Sequence, residues 1–263
     1  VSGNLDLGRV SSLVSTRANQ RLELTSVEEE LRNGAPEAPG GPPVRSLKRL
    51  SEATNGVYGI WLIAGTPGIG KSTLVGQLEV DCGRNLPILA YDYENTKQVL
   101  LYRLVENFGL EQARRLGSKW YIRESLRTMQ KDLERVPPPA IVVVDSIQKI
   151  PTFGASSDDK RGSLEDWIHR FEELKQRGYS VVLISEINRA SYTGDPRLDC
   201  FKETGALEYA ADTAVFLQER DNGLIATWIV KNRHYPTKGM LGLMERVKPY
   251  WFKEINLDGP TFG

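Results

Sequence analysis

The sequence predicts an α/β domain with a mostly parallel, twisted sheet and helices on both faces. Two observations carry that prediction. Short apolar runs alternate with segments of helical spacing through residues 45–263, which is the pattern of strand–helix–strand units. The central runs are β-branched and apolar throughout, without the period-two alternation of a half-exposed strand, as strands buried on both faces are.

The elements follow in chain order. Residues 1–44 form a polar arm with one short helix over 26–34, where Ser26 is the N-cap, Glu29 completes a capping box and Gly34 stops it. The run "APEAPGGPP" (35–43) mixes proline and glycine too densely for an element and reads as a linker. In 45–263, "IWLIAG" (60–65) is a strand and "KSTLVGQLEVDCG" (71–83) a helix. A strand over 86–94, an amphipathic helix over 96–109, a strand over 119–125 and a helix over 126–136 come next. "AIVVVDS" (140–146) has the composition of a central parallel strand. A helix over 164–178 and a buried strand over 179–187 follow, and "TAVFLQER" and "LIATWIVKNR" close the far side of the sheet.

Composition bounds the function. The chain has 263 residues, 40% of them apolar, and 34 basic residues balance 34 acidic ones. Zero net charge gives no global signal for nucleic acid but leaves room for a local basic groove. Two distant cysteines, Cys82 and Cys200, make neither a disulfide framework nor a zinc site and fit a reducing cytoplasm. No apolar run is long enough to span a membrane. The first residue is Val1 rather than Met, as in a piece of a longer protein.

The strongest motif is "GTPGIGKST", which matches G-x-x-x-x-G-K-[ST] between a strand and a helix. Gly65, Thr66, Pro67, Gly68, Ile69, Gly70, Lys71, Ser72 and Thr73 make up this nucleotide-binding loop. Its glycines let backbone N–H groups turn inward around phosphate oxygens, and the following helix adds its positive end. Lys71 is expected on the β- and γ-phosphates and the Ser72 hydroxyl on Mg²⁺. Asp145, delivered by four β-branched residues to the carboxyl end of its strand, is the second magnesium residue. A third acid must orient the attacking water. Asp92 and Glu94 share a strand face in "YDYEN"; Glu94, the more terminal, is the candidate. No guanine-specifying N-K-x-D is evident, so the expected nucleotide is ATP.

The motifs together resemble the RecA-like ATPases: a P-loop, a Glu ending the next strand and "DSIQ" with Asp145 and Gln148. "KETGALEYAADTAV" (202–215) and "KNRHYPTKG" (231–239) resemble segments of the DnaB-type replicative helicases, while "PGIGKST", "DSIQ" and "KNRHY" are equally similar to the RadA/Sms ATPases. The resemblance covers about residues 45–245. It implies a RecA-like core, catalytic roles for Lys71 and Glu94, and two cations, Lys231 and Arg233, that cross to a neighbouring subunit's γ-phosphate. These two close an apolar strand two residues apart, on one face. A ring or filament is thereby implied, a hexamer foremost, with single-stranded DNA as partner and a primase or another replication protein as a further one.

Two loops are expected to meet DNA. The first, 149–163, carries Lys149, Lys160 and Arg161; the second, 188–202, carries Arg189, Arg197 and Lys202. Several copies of such loops around a channel would form a positive funnel. Gln148 and Glu186 are the candidate coupling residues. Glu186 stands where DnaB-type helicases usually have Gln, and a carboxylate cannot donate the hydrogen bond an amide would. The glycine before the family's Pro is also absent in "RHYPT". Cys82, Cys200 and His169 are expected to be inert, and His234 to shape the turn. Trp228, Trp251 and Phe252 read as core or interface. The expected function is a helicase motor; a RadA-like recombination ATPase and a nucleotide-switched loader or regulatory ATPase are the alternatives.

Overall fold

The computed structural model describes residues 31–32, 38–151, 160–187, 194–201, 205–220 and 223–255, with the side chains of residues 160, 161 and 199 left out. The helix expected over 26–34 therefore lies almost wholly outside the described residues.

One sheet of nine strands organises the chain, in the order β3-β2-β4-β5-β1-β6-β7-β8-β9. These are β1 (Ile60–Gly65), β2 (Ile88–Asp92), β3 (Trp120–Arg123), β4 (Ile141–Asp145), β5 (Ser180–Ser185), β6 (Thr213–Glu219), β7 (Ile225–Asn232), β8 (Gly239–Lys248) and β9 (Trp251–Ile255). The first six are mutually parallel, and β7, β8 and β9 continue the sheet as an antiparallel meander. The mostly parallel expectation holds.

The helices are α1 (Lys48–Thr54), α2 (Lys71–Gly83), α3 (Lys97–Phe108), α4 (Leu110–Leu116), α5 (Met129–Arg135), α6 (Lys160–Gln176) and α7 (Gly205–Ala210). Period-two geometry sorts the strand residues onto two cores. Ile60, Leu62 and Ala64 of β1 face Met129 and Leu133 of α5, Trp167 and Phe171 of α6 and Leu207 of α7. Trp61 and Ile63 face Leu50 of α1, Leu74 and Leu78 of α2, and Phe252. Both faces are covered, which is why β1, β2 and β4 are buried at every residue.

Part of the predicted linker runs along this body. The Pro42 carbonyl accepts from the Val57 amide at 3.0 Å, the Gly41 amide donates to the Asn55 carbonyl at 3.0 Å, and Val44 is fully buried.

Because β1, β2, β4 and β5 are parallel, their carboxyl ends lie along one edge. Asp92 is the register partner of Asp145, and Ala64 of Ser185. The turns after these four strands, including those with Glu94 and Glu186, therefore open on that edge.

Candidate nucleotide site

The turn after β1 is built for close approach. Gly70 has φ +110°, and a Cβ there would lie 2.5 Å from the Phe252 ring. A Cβ on Gly65 would lie 2.7 Å from the Leu217 carbonyl oxygen. Only glycine fits either position. Helix α2 then begins with no side chain capping it, so the donors of its first turn are left for an anion. Pro67 and Gly68 form the exposed tip, while Ile69 and Thr73 are buried and hold the turn to the body.

The polar side chains converge on this turn. The Lys71 ammonium donates to the carbonyls of Gly65 at 3.0 Å and Thr66 at 3.2 Å. Burial holds its pKa below the ordinary value, against the attraction of Asp145, Glu186 and Glu94. The Ser72 hydroxyl donates to Asp145 Oδ2 at 2.6 Å. Asp145 is 4% exposed. Burial, with Asp92 and Glu94 nearby, pushes its carboxyl up to about 7, although the Ser72 bond opposes the rise. The attraction of Lys71 also opposes the rise but does not offset burial.

Asp92 and Glu94 have different surroundings. Buried Asp92 is committed to the backbone: its Oδ1 accepts from the amides of Glu94 at 2.8 Å and Asn95 at 2.6 Å. Glu94 points across to the end of β4. Its Oε1 accepts from the Ser146 hydroxyl at 2.9 Å, and its Oε2 from the Lys149 ammonium at 2.6 Å. Gln148 donates to Ser185 Oγ at 3.0 Å, joining the ends of β4 and β5. Glu186, just past β5, acts electrostatically on both Lys71 and Lys149.

Two site features escaped the sequence. Arg246 of β8 lies over the Phe252 ring, 5.5 Å from its centroid, and donates to the Ile69 carbonyl at 3.4 Å, so the hairpin β8–β9 backs the P-loop. Buried Asp212, in front of β6, accepts from the Ile60 amide at 2.9 Å and from Lys175 at 2.8 Å. No local spacing announces either contact, since each joins segments far apart in the chain.

Lys231 and Arg233 lie at the other end of the sheet. The Arg233 amide donates to the Asp212 carbonyl, and Asp212 adjoins Ile60 at the start of β1. Gly65 lies five residues further along β1, roughly 16 Å away at ~3.3 Å per residue. Within the chain, the Arg233 guanidinium meets Asp212 Oδ1 at 3.0 Å and the Tyr209 carbonyl. Lys231 donates to the Glu208 and Tyr209 carbonyls at the end of α7. Their shared contact with Tyr209 places both cations on one face. His234 lies 3.6 Å from Asp212 and edge-to-face with Tyr58.

The expected DNA-binding residues are partly placed. Lys160 and Arg161 belong to the first turn of α6 rather than to the preceding loop, a correction to the loop's predicted extent. Arg197 is exposed ahead of a short 3-10 turn at Leu198–Cys200. Arg189 and Lys202 lie outside the described residues. Cys82 and Cys200 are buried thiols, and burial pushes the Cys82 pKa up.

No family model matches the chain. It is 26% identical over 216 residues to the DNA repair protein RadA of Streptococcus pneumoniae (strain ATCC BAA-255 / R6), covering 76% of this chain and 47% of that protein. It is 26% identical over 238 residues to RadA of Brucella abortus (strain 2308), covering 86% and 47%. The chain thus spans about half the length of these curated relatives. Among solved structures, the ATPase domain of G40P superposes with a TM-score of 0.69 at 20% identity, covering 97% of this chain and all of that one. A DnaB-like replicative helicase, studied for its interactions with primase, superposes with a TM-score of 0.72 at 17% identity, covering 95% and 77%. The fold is RecA-like, as in the ATPase domain of G40P and the DnaB-like replicative helicase, and the sequence relatives are RadA proteins.

Proposed function

We propose that the chain is a magnesium-dependent ATPase motor that hydrolyses ATP at the boundary between two copies and uses it to move on single-stranded DNA. The observation that carries this reading is the sheet's division of labour: a phosphate-binding turn with its acids at the carboxyl edge, and two strand-end cations at the amino edge.

The fit to nucleotide and metal rests on the site itself. Gly70 and Gly65 let the turn pack tightly on Phe252 and Leu217, and α2 starts uncapped. Among the described residues no cluster of three or more His, Cys, Asp or Glu could hold a metal. One carboxylate and one hydroxyl suit Mg²⁺, which keeps water and phosphate oxygens as its other ligands. Asp145 and Ser72 would hold the ion, and the ion would supply neutralising charge at the phosphates. Lys71 would leave the Gly65 and Thr66 carbonyls for phosphate oxygens. Glu94 would orient the attacking water and take up its proton as the bond between the γ-phosphorus and the bridging oxygen breaks, ADP leaving with the electron pair. Lys231 and Arg233 would serve the neighbouring copy, where such cations are worth ~10³–10⁵ in rate in other phosphoryl-transfer enzymes. Gln148 and Glu186 would couple nucleotide state to Arg197, Arg189 and Lys202 and to Lys160 and Arg161 on the strand. A hexameric ring, a primase as partner and a cytoplasmic location complete the reading. Among the described residues no helix is long and apolar enough to cross a membrane.

The test is the ATPase rate with and without single-stranded DNA, measured alongside particle mass. DNA-stimulated hydrolysis by a multimer is expected. Hydrolysis by a multimer indifferent to DNA would favour the nucleotide-switched loader instead. Hydrolysis at full rate by a monomer would end the interface model.

A further inference from the structure

Glu94 is held by two groups from one short stretch. Ser146 directly follows Asp145, and Lys149 ends the 3-10 turn Ile147–Lys149. The hydroxyl of the first meets one carboxylate oxygen at 2.9 Å and the ammonium of the second meets the other at 2.6 Å. A carboxylate engaged at both oxygens, and neutralised at one, is a poorer acceptor for a water proton than a free one.

The hold is also weak. The Lys149 and Glu94 side chains are 49% and 34% exposed. An ion pair this open to solvent favours the closed arrangement by at most about fivefold. A competing anion at Lys149 can therefore displace Glu94 at little cost. The other charges around the pair are acidic apart from Lys71: Asp145 and Glu186 both attract Lys149. Lys149 and Lys71 face the same three acids, Glu94, Asp145 and Glu186, and about half of Lys149 is exposed.

We propose that Lys149 is a positioning residue that restrains Glu94 in the resting chain and releases it when a phosphate of single-stranded DNA captures the ammonium. This rests on the role given to Glu94 above. It makes hydrolysis sensitive to the strand through one side chain, four residues from Asp145.

The test compares Lys149→Met and Lys149→Arg with the unaltered 263-residue chain, measuring kcat and KM for ATP with and without poly-dT. Lys149→Met is expected to raise kcat without DNA by about fivefold, to leave KM unchanged and to shrink the stimulation by poly-dT in proportion. Lys149→Arg, which keeps the ion pair, is expected to restore both to the unaltered values. A Met variant with unchanged or lower kcat, or with undiminished stimulation, overturns the proposal. Glu94→Gln separates this from the underlying role. If that variant binds nucleotide and still hydrolyses it at the unaltered rate, the assignment of Glu94 itself fails.

Discussion

Asp145 is a carboxylate through which the stability of the fold would depend on pH and on the proposed metal. Burial lifts its pKa to about 7, and burial also raises Asp92 and Glu79 above the ordinary carboxylate range. Below these raised values the folded chain keeps protons that the unfolded chain releases as pH climbs past ~4. Stability therefore falls as pH rises through that window. Asp132, lowered by its bonds to Arg123 and Thr128 against its own desolvation, is ionised in both states there and adds no slope. Without metal or nucleotide, the melting temperature is expected to drop between about pH 5 and pH 7.5, and Mg²⁺ with ADP to recover much of the loss at the higher pH. A flat metal-free profile would contradict the electrostatics. Lys71 and Ser72 were legible as candidates because the G-x-x-x-x-G-K-[ST] pattern fixes their spacing, and Asp145 because an unbroken β-branched run ends on it. Glu94 was preferred to Asp92 only as the more terminal acid of one strand face, and the surroundings that distinguish them depend on Asn95, Ser146 and Lys149 in space.

At the level of elements, strands β1, β2 and β4 were legible because burial on both faces demands unbroken apolar runs. Strands β8 and β9 were not: their residues alternate irregularly between half-buried and exposed, and only a few, such as Met244 and Phe252, are buried. Yet β9 fixes the P-loop helix. Gln77 of α2, fully buried, accepts from the Phe252 amide at 3.0 Å and donates to the Phe252 carbonyl at 2.9 Å, closing a two-bond clamp. Gln77→Ala would strand both backbone groups in the interior, and a loss of about 2–4 kcal/mol is expected in denaturant unfolding. A loss below about 0.5 kcal/mol would mean that water or a shifted strand replaces the clamp. Helix α7 is six residues long and too short for a periodic signal, although its terminal carbonyls are what Lys231 and Arg233 grip.

For the whole molecule, the two halves of the proposed catalytic apparatus lie at opposite ends of one sheet. They are separated because β7 runs antiparallel to β6 and carries its end back to the amino edge. Asp212 was not legible in the sequence, since that carboxylate gathers Lys175 of α6 and the adjacent Arg233 and His234 after β7 from two segments far apart in the chain. The ion pair with Asp212 gives Arg233 a partner within its own chain, so its service to a neighbour's phosphate requires sharing or exchanging that partner. The most direct measurement mixes two inactive variants, Glu94→Gln and Arg233→Ala. An interface that pairs Glu94 of the second variant with Arg233 of the first is complete. The mixture is expected to regain ATPase activity that neither variant has alone. A mixture of co-assembled subunits as inactive as its parts would contradict catalysis across two copies.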